Sequence, residues 1–433
     1  MKSYLVGGAV RDKLLNLMVE EQDWVVVGST PQAMQALGFQ QVGHDFPVYL
    51  HPRTKEEYAL ARTERKSAPG YQGFECDANP DVTLEEDLKR RDLTINAMAM
   101  DEHGQLIDPY GGLTDLNARV LRHVSDAFVE DPLRVLRVAR FAARFHYLGF
   151  SVAPKTNALM YQMVKQGELT YLTPERVWQE LAKSLATSNP EIFITTLRLC
   201  GALEVILPEV NKLFGVPALA KSHPEIDTGV HTLQVLQATA LLTLDVTCRF
   251  AALVHDVGKA QTNMQDWPKH PGHGELGVPL ITALCQRLRV PTRFQRLAIL
   301  VASFHLDIHR VLELEVARIV YVLEHTDALR QGELFEQLLL VSEADARGGS
   351  LSKAEDYQQR SIWQALQREC AKLSGKLISE QGFEGIDIKT ELLQSLQTYD
   401  IQDVLDTNKD DDNFNKDINH HKQLLTKSTD VIK

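Results

Sequence analysis

Two stretches of the 433-residue chain carry side chains suited to phosphate chemistry. Near the amino terminus, Glu21 and Asp23 flank Gln22 and lead into the apolar run Trp24 to Val27. If that run is a strand, alternation puts both carboxylates on one face, where they could hold Mg²⁺. Glu57 opens a similar run, Glu57-Tyr58-Ala59-Leu60, and supplies a third acid. Three carboxylates at a sheet edge suit two-metal phosphoryl transfer: one ion lowers the pKa of the attacking hydroxyl, the other neutralises the leaving pyrophosphate. Each acid taken alone fits a solvated strand edge. What changes the balance is Gly7-Gly8, set between the apolar Leu5-Val6 and Ala9-Val10-Arg11-Asp12. Glycines between a strand and a helix let backbone N–H groups approach a phosphate.

The second stretch is Val254-His255-Asp256-Val257-Gly258-Lys259, at the end of an apolar helical segment. An adjacent His-Asp pair can ligate one divalent ion, imidazole and carboxylate both being acceptable to Mg²⁺, Mn²⁺ or Ni²⁺. His231 opens another apolar helix upstream, and Asp345 lies downstream in Ser342-Glu343-Ala344-Asp345. His270, His273, His305 and His309 read as ordinary core or surface histidines and stay outside the expected ligand set.

The elements that must position these residues follow from periodicity. Tyr4 to Val6 and Trp24 to Val27 read as strands, Val10 to Asn16 and Pro31 to Leu37 as helices, an α/β pattern over roughly the first 110 residues. After Leu84 helical periodicity dominates, as in Leu133 to Phe145, Pro174 to Ala186 and Val246 to Val257, so an all-α remainder is expected. Turn residues at Leu207-Pro208 and from Pro217 to Thr228 suggest a domain boundary. The expected class is therefore α+β, a small mixed sheet with helices followed by an all-α body. Its expected divisions are an α/β head that runs on into the first long helix (1–140), a helical neck (141–225), a metal-site domain with a helical tail (226–395), and a disordered tail (396–433) whose polar composition cannot bury enough surface to order itself.

Composition bounds the setting. No run of apolar residues is long enough to span a bilayer, and Met1 leads into Tyr4-Leu5-Val6 without the pattern of a secretory signal, so a cytoplasmic protein is expected. The cysteines, Cys76, Cys200, Cys248, Cys285 and Cys370, are scattered thiols with no metal-site spacing. A net charge of −12 opposes a nucleic-acid partner unless cations cluster locally. They do: Arg62, Arg65, Lys66, Lys89, Arg119, Arg122 and Arg144 all fall in the first third of the chain.

The residues quoted so far, with Arg62 to Lys66, Glu86 to Ala97 and Glu130 to Phe141, resemble the nucleotidyltransferase superfamily of DNA polymerase beta. Within it they are most similar to bacterial class II CCA-adding enzymes and their poly(A) polymerase relatives, over nearly the whole chain to about residue 390. The resemblance implies Mg²⁺-dependent addition of CCA to the 3′ end of tRNA from CTP and ATP. It assigns Glu21, Asp23 and Glu57 to catalysis and Glu21 and Asp23 to metal. Gly8, Arg11, Arg91, Arg137 and Arg140 are assigned to the nucleotide or its triphosphate.

Asp131, Arg134, Arg137 and Arg140 recur at spacings of three, which keeps them in one helical stripe. Asp131-Pro132 is also an ordinary helix start, Asp as cap and Pro in the first turn. Cytosine and adenine both pair an exocyclic amino donor with a ring-nitrogen acceptor, which a carboxylate beside a guanidinium complements. By resemblance Asp131, Arg134 and Arg137 act as this protein template, while Arg90 reads as plain surface charge.

One departure stands out. The family's pattern is Asp-x-Asp, whereas Glu21 puts an acid one methylene longer at the position expected to bridge both metals. Either a small strand shift absorbs the extra length or turnover drops by orders of magnitude.

The second stretch resembles the HD phosphohydrolase superfamily, whose ligand order is His, His-Asp, Asp. That order selects His231, His255, Asp256 and Asp345, with His255 and Asp256 catalytic. It implies hydrolysis of phosphate esters as a phosphatase, 2′,3′-cyclic phosphodiesterase or 2′-nucleotidase. The alternatives are a poly(A) polymerase and a transferase-impaired RNA-binding protein in which only the HD chemistry survives. A monomer or homodimer without membrane attachment is expected.

Overall fold

In a computed structural model of the chain, the described residues are 1–19, 21–42, 48–66, 74–218, 227–330, 332–348 and 357–376. They form two compact units, Met1–Pro208 and the residues from Glu209 onward. The expected tail, 396–433, lies outside the described residues, as do the side chains of Arg65, Lys66 and Cys76.

The first unit is built on a mixed sheet. Its strands are β1 (Lys2–Val6), β2 (Asp23–Val27), β3 (Gln40–Val42), β4 (Val48–Leu50) and β5 (Glu57–Leu60), with β6 (Thr63–Lys66) and β7 (Phe74–Asp77) as a separate pair. β8 (Ala99–Met100) and β9 (Leu106–Ile107) complete a seven-stranded sheet in the order β3-β4-β5-β2-β1-β8-β9. Here the all-α reading after Leu84 fails. Two-residue strands carry no alternation to detect, yet β8 pairs with the edge of β1 and extends the sheet.

Helices α1 (Gly8–Leu14), α2 (Pro31–Ala36), α3 (Leu84–Lys89) and α4 (Gly112–Asn117) surround it. Val6 and Val25 on one sheet face pack with Leu84 and Leu88 of α3, and Val26, Tyr49 and Leu60 on the other with Met34 of α2. Both faces are thus closed by apolar burial, and only the strand ends stay open to chemistry.

Beyond the short parallel pair β10 (Val120–Leu121) and β11 (Ser151–Val152), the unit is helical: α5 (Leu133–Phe145), α6 (Pro154–Lys165), α7 (Pro174–Leu185), α8 (Glu191–Leu199) and α9 (Ala202–Ile206). The expected division between 140 and 141 falls inside α5, because the apolar spacing of Val135, Val138, Ala139 and Ala142 continues through Phe145. No break in periodicity exists there to end a helix.

The second unit is helical throughout its described residues: α10 (Pro208–Asn211) at the junction, then α11 (Thr228–Leu242), α12 (Val246–Val254), α13 (His273–Leu288), α14 (Thr292–His309), α15 (Val316–His325), α16 (Glu333–Arg347) and α17 (Gln359–Lys376). Residues Thr247 to Val254 of α12 are all buried, which makes it the central rod. It packs on α11, α14 and α16. The helix expected through Val257 stops at Val254, and a 3-10 turn follows over Val257–Gln261.

Candidate active sites

In the head, β1 ends at Val6 opposite the first residue of β2, Asp23, which in turn lies in register with Glu57 at the start of β5. β2 and β5 run parallel, so Asp23 and Glu57 sit side by side at the end of the sheet where the Gly7-Gly8 turn emerges. Gly7 has φ +66°, and a Cβ there would meet an Arg91 guanidinium nitrogen at 2.8 Å. Only glycine holds that backbone with Arg91 beside it.

The end of the sheet opens into a cleft of about 630 Å³. All ten residues expected of the head site line it: Gly8, Arg11, Glu21, Asp23, Glu57, Arg91, Asp131, Arg134, Arg137 and Arg140. Nine arginines face this one space. Such a charge density suits a triphosphate far better than an apolar ligand.

Asp23 is open to solvent along this edge. Its carboxyl is nevertheless pushed above its ordinary value, first by partial desolvation and then by Glu21, with Arg91 pulling the other way. Three exposed carboxylates at one sheet end suit Mg²⁺. Glu21 and Gln22, just ahead of β2, are exposed and have no regular structure of their own.

The arginines are held by a second layer of acids that sequence reading assigned no role. Asp92 accepts hydrogen bonds from Arg137 Nε (2.7 Å) and Asn96 Nδ2 (2.9 Å), and Asn96 Oδ1 accepts one from Arg11. Although burial favours the neutral acid, Arg137 and Asn96 hold the Asp92 carboxyl well below the usual range. Asp12 binds Arg11 (2.8 Å) and Arg144 (3.0 Å), and Glu180 of α7 binds Arg140 Nε (2.6 Å). Phe141 stacks beneath Arg11 and Arg140, with the guanidinium carbons 5.2 and 4.4 Å from the ring centre.

Arg90 corrects the sequence reading. It is not loose surface charge: Nη2 lies 2.8 Å from the fully buried Asp87, Nε donates to the Arg62 carbonyl, and the side chain is largely covered. Its position just past the end of a short charged helix gave no sign of this.

Asp131 does begin the α5 region, accepting the Leu133 N–H at 3.0 Å. Its other oxygen accepts from Arg176 Nη2 at 2.9 Å, a partner 45 residues away that the sequence did not suggest. Arg134, largely buried, donates to the backbone carbonyls of Ala127 and Arg90. Asp131 and Arg134, two of the three residues expected to read the base, are therefore fixed by neighbours before any base arrives.

In the second unit, α11 supplies His231, the carboxyl end of α12 supplies His255 and Asp256, and α16 supplies Asp345. His231 Nε2 lies 2.8 Å from Asp345 Oδ1, and His255 Nε2 lies 3.5 Å from the same oxygen and 3.3 Å from Asp256 Oδ2. These four expected ligands converge, and all are buried.

So do histidines that the sequence reading left out. His273, opening α13, and His305, in the last turns of α14, approach Asp256 Oδ1 at 3.3 and 3.8 Å. His309, one turn beyond His305, places Nε2 2.9 Å from Asp345 Oδ2 while Nδ1 meets the Tyr357 hydroxyl. Isolated histidines have no spacing to betray them; helix packing alone gathers these. A Cβ on Gly258 would fall 1.9 Å from the His273 carbonyl oxygen, so the bare glycine is what lets α13 close against this turn. His270 bonds Thr262 and the Pro217 carbonyl instead.

Burial opposes charge on His255, but Asp256 and Asp345 outweigh it and push its pKa up to about 10. Burial dominates at His305 and takes it down to about 3. His255 Nε2 and both Asp256 oxygens are buried without a properly directed hydrogen bond, and the Lys259 ammonium at 2.6 Å does not meet that geometry either. Buried donor atoms left this way fit a divalent ion, and the His/Asp chemistry fits Mn²⁺, Ni²⁺ or Mg²⁺.

Fold and sites define a class: a polymerase head carried with an HD domain on one chain. Residues 3–122 match the Poly A polymerase head domain, 149–214 the probable RNA and SrmB-binding site of polymerase A, and 228–346 the HD domain. Multifunctional CCA proteins of Legionella pneumophila strains Paris and Lens are 60% identical over 395 residues, covering 91% of this chain and 96% of theirs. The chain belongs to the multifunctional CCA protein family.

Solved structures share the fold. A CCA-adding enzyme in an apo form aligns with TM-score 0.60 at 22% identity, covering 94% of this chain and 91% of the other. The Thermotoga maritima CCA-adding enzyme complexed with tRNA aligns with TM-score 0.55 at 23% identity, covering 91% of each. No described helix is long and apolar enough to cross a membrane.

Proposed function

We propose that the chain adds CMP, CMP and AMP in turn to the 3′ end of tRNA from CTP and ATP, and that its HD domain hydrolyses phosphate esters. The observation that carries the first part is the register Val6, Asp23, Glu57 at a sheet end that opens into an arginine-lined cleft. In this reaction the tRNA 3′ hydroxyl attacks the α-phosphorus, a phosphodiester forms, and pyrophosphate leaves. Glu21, Asp23 and Glu57 would hold Mg²⁺, which when bound activates the hydroxyl and neutralises the departing charge.

The remaining work belongs to the chain. The Gly7-Gly8 backbone and Arg11, Arg91, Arg137 and Arg140 bind and orient the triphosphate, with Arg91 held by Asp87 at 3.2 Å and the other three by the acids and amide already named. Asp131 and Arg134 select bases with an amino donor beside a ring acceptor. At the HD centre His231, His255, Asp256 and Asp345 are the ligands, and the substrates fitting a tRNA-end enzyme are a terminal phosphate, a 2′,3′-cyclic phosphate or a 2′-nucleotide. Such substrates suit the cytoplasm.

The test is a tRNA transcript ending before CCA, incubated with Mg²⁺ and each labelled nucleoside triphosphate alone, then with CTP and ATP together. Addition of three residues followed by arrest is the expected product. Long A tails would make the protein a poly(A) polymerase. No extension until Glu21→Asp is introduced would leave the HD domain as the main activity.

A further inference from the structure

We infer that the second unit carries a binding site for a small phosphate monoester at the far end of its helices from the His/Asp centre. The inference depends on neither proposed activity. The site is a cavity of about 450 Å³ whose wall includes Thr247, Thr292, Arg293, Arg296 and Glu333, all within that unit. A space of this size takes a nucleotide-sized molecule.

Three helices begin at the cavity. Thr247 lies in the first turn of α12, Thr292 opens α14 and Glu333 opens α16. The same three helices lead to His255, to His305 and to Asp345. At 1.5 Å per residue the cavity is roughly 12 to 20 Å along the rods from those residues, so one small ligand cannot touch both ends. No side chain caps α14 or α16, which leaves their first N–H groups to a ligand, and three positive dipole ends meet in one place.

The arginines add full charge. The Arg293 guanidinium lies 5.0 Å from the Phe294 ring and pairs with no acid among the described residues, and Arg296 reaches Asp327 at 3.9 Å. Thr247 is the observation that does not come from helix ends or exposed charge. It is only 8% exposed and lines the cavity, yet its hydroxyl has no hydrogen-bond partner among the described residues. Burying a hydroxyl that way is costly, and a phosphate oxygen in the cavity satisfies it.

Two acids share the wall. Asp245 is already committed, Oδ1 accepting the Thr247 N–H at 2.7 Å and Oδ2 accepting from Gln337 Nε2 at 2.6 Å. Glu333 is exposed and has no partner among the described residues, so it suits a hydroxyl or amino donor on the same ligand. Phosphate at one end and hydroxyl donors at the other describe a nucleoside monophosphate.

The test is AMP binding to the full chain in chelator. Hydrogen exchange read by mass spectrometry should show the amides that open α14 and α16 slowed by AMP in millimolar excess and unaffected by adenosine. Calorimetry should show a binding event that weakens by about tenfold or more in Arg293→Gln/Arg296→Gln, with CCA addition unchanged within about twofold. Thr247→Val, which removes the hydroxyl alone, should weaken it by about fivefold. No slowing with AMP, or equal affinity in the parent and the double variant, overturns the site. A dinucleoside phosphate that binds as tightly as AMP would make the ligand an RNA backbone and overturn the monoester. Because exchange in the parent chain decides by itself, a variant that fails to fold does not rescue the idea.

Discussion

The two centres solve the same problem, holding divalent charge against phosphate, in opposite ways. In the head, Glu21, Asp23 and Glu57 are exposed oxygen donors at a sheet end, and the acids that hold the arginines are buried behind them. In the HD unit the donors themselves are buried, mixed nitrogen and oxygen, with imidazole protons fixed by backbone carbonyls. Exposed carboxylates bind hard ions weakly and suit a cation that comes and goes with a nucleotide; a dry His/Asp nest suits one that stays. One centre is therefore organised around its substrate's charge, the other around its own metal.

The sharpest way to break this contrast is a pair of reciprocal variants. Asp23→Asn should cut CCA addition by about 10³-fold or more, the several kcal/mol a lost metal ligand represents, and leave retained metal unchanged. Asp256→Asn should strip retained metal and phosphoester hydrolysis while CCA addition stays within about twofold. Rates and metal content on the same preparations check both. If Asp23→Asn lowered retained metal, the head would hold a resident ion and the contrast would fall.

Asp23→Glu comes next. Asp23 sits in a strand pinned by Val6 on one side and Glu57 on the other, so its backbone cannot retreat to make room. One added methylene displaces the carboxylate by about 1 Å, and misplacement of that size costs on the order of 10²-fold in turnover. Single-turnover incorporation of CMP with saturating CTP measures it. An effect below about threefold would show a site looser than the register implies.

Arg176→Ala should act on choice more than on rate. Arg176 holds Asp131 from α7 while the Leu133 N–H holds the other oxygen, so the carboxylate has one orientation. Both side chains are about a fifth exposed, which discounts the ion pair to about 1.4 kcal/mol or tenfold. Discrimination of CTP over UTP should fall by about that factor, with kcat for CTP changed less. Unchanged discrimination would mean that Asp131 is positioned by the helix start alone.

These variants also mark where sequence reading stopped. Gly7-Gly8, Asp23 and Glu57 were legible because strand, turn and acid lie within a few residues of each other, and alternation fixes which way they face. β8 and β9 were not, since two-residue strands have no period. Arg90 read as a surface charge because its partner, Asp87, is a buried acid that looks like any other in a charged helix. Arg176 and Glu180 stand in an amphipathic helix whose polar face gives no hint that it looks into a cleft instead of water. His273 and His305 were seen but left out of the ligand set for a different reason. Their meeting depends on α13 approaching α14, an event set by packing and by the room left at Gly258, which no local pattern records.

The smallest effect expected is at Glu21, the residue that looked most damaging in the sequence. Asp23 is the first residue of β2, but Glu21 lies ahead of it, exposed and outside any ladder. A stretch without strand pairing can move by the length of one methylene at little cost, whereas the paired residue two positions on cannot. Glu21→Asp should therefore change CMP and AMP incorporation by no more than about threefold, against the hundredfold expected of the same change in length at Asp23. Measured side by side under identical Mg²⁺, the two substitutions separate what chemistry requires from what the strand enforces. A large gain on Glu21→Asp would mean that the loop before β2 is as rigid as β2 itself, and that the natural chain runs its transferase with a misplaced ligand.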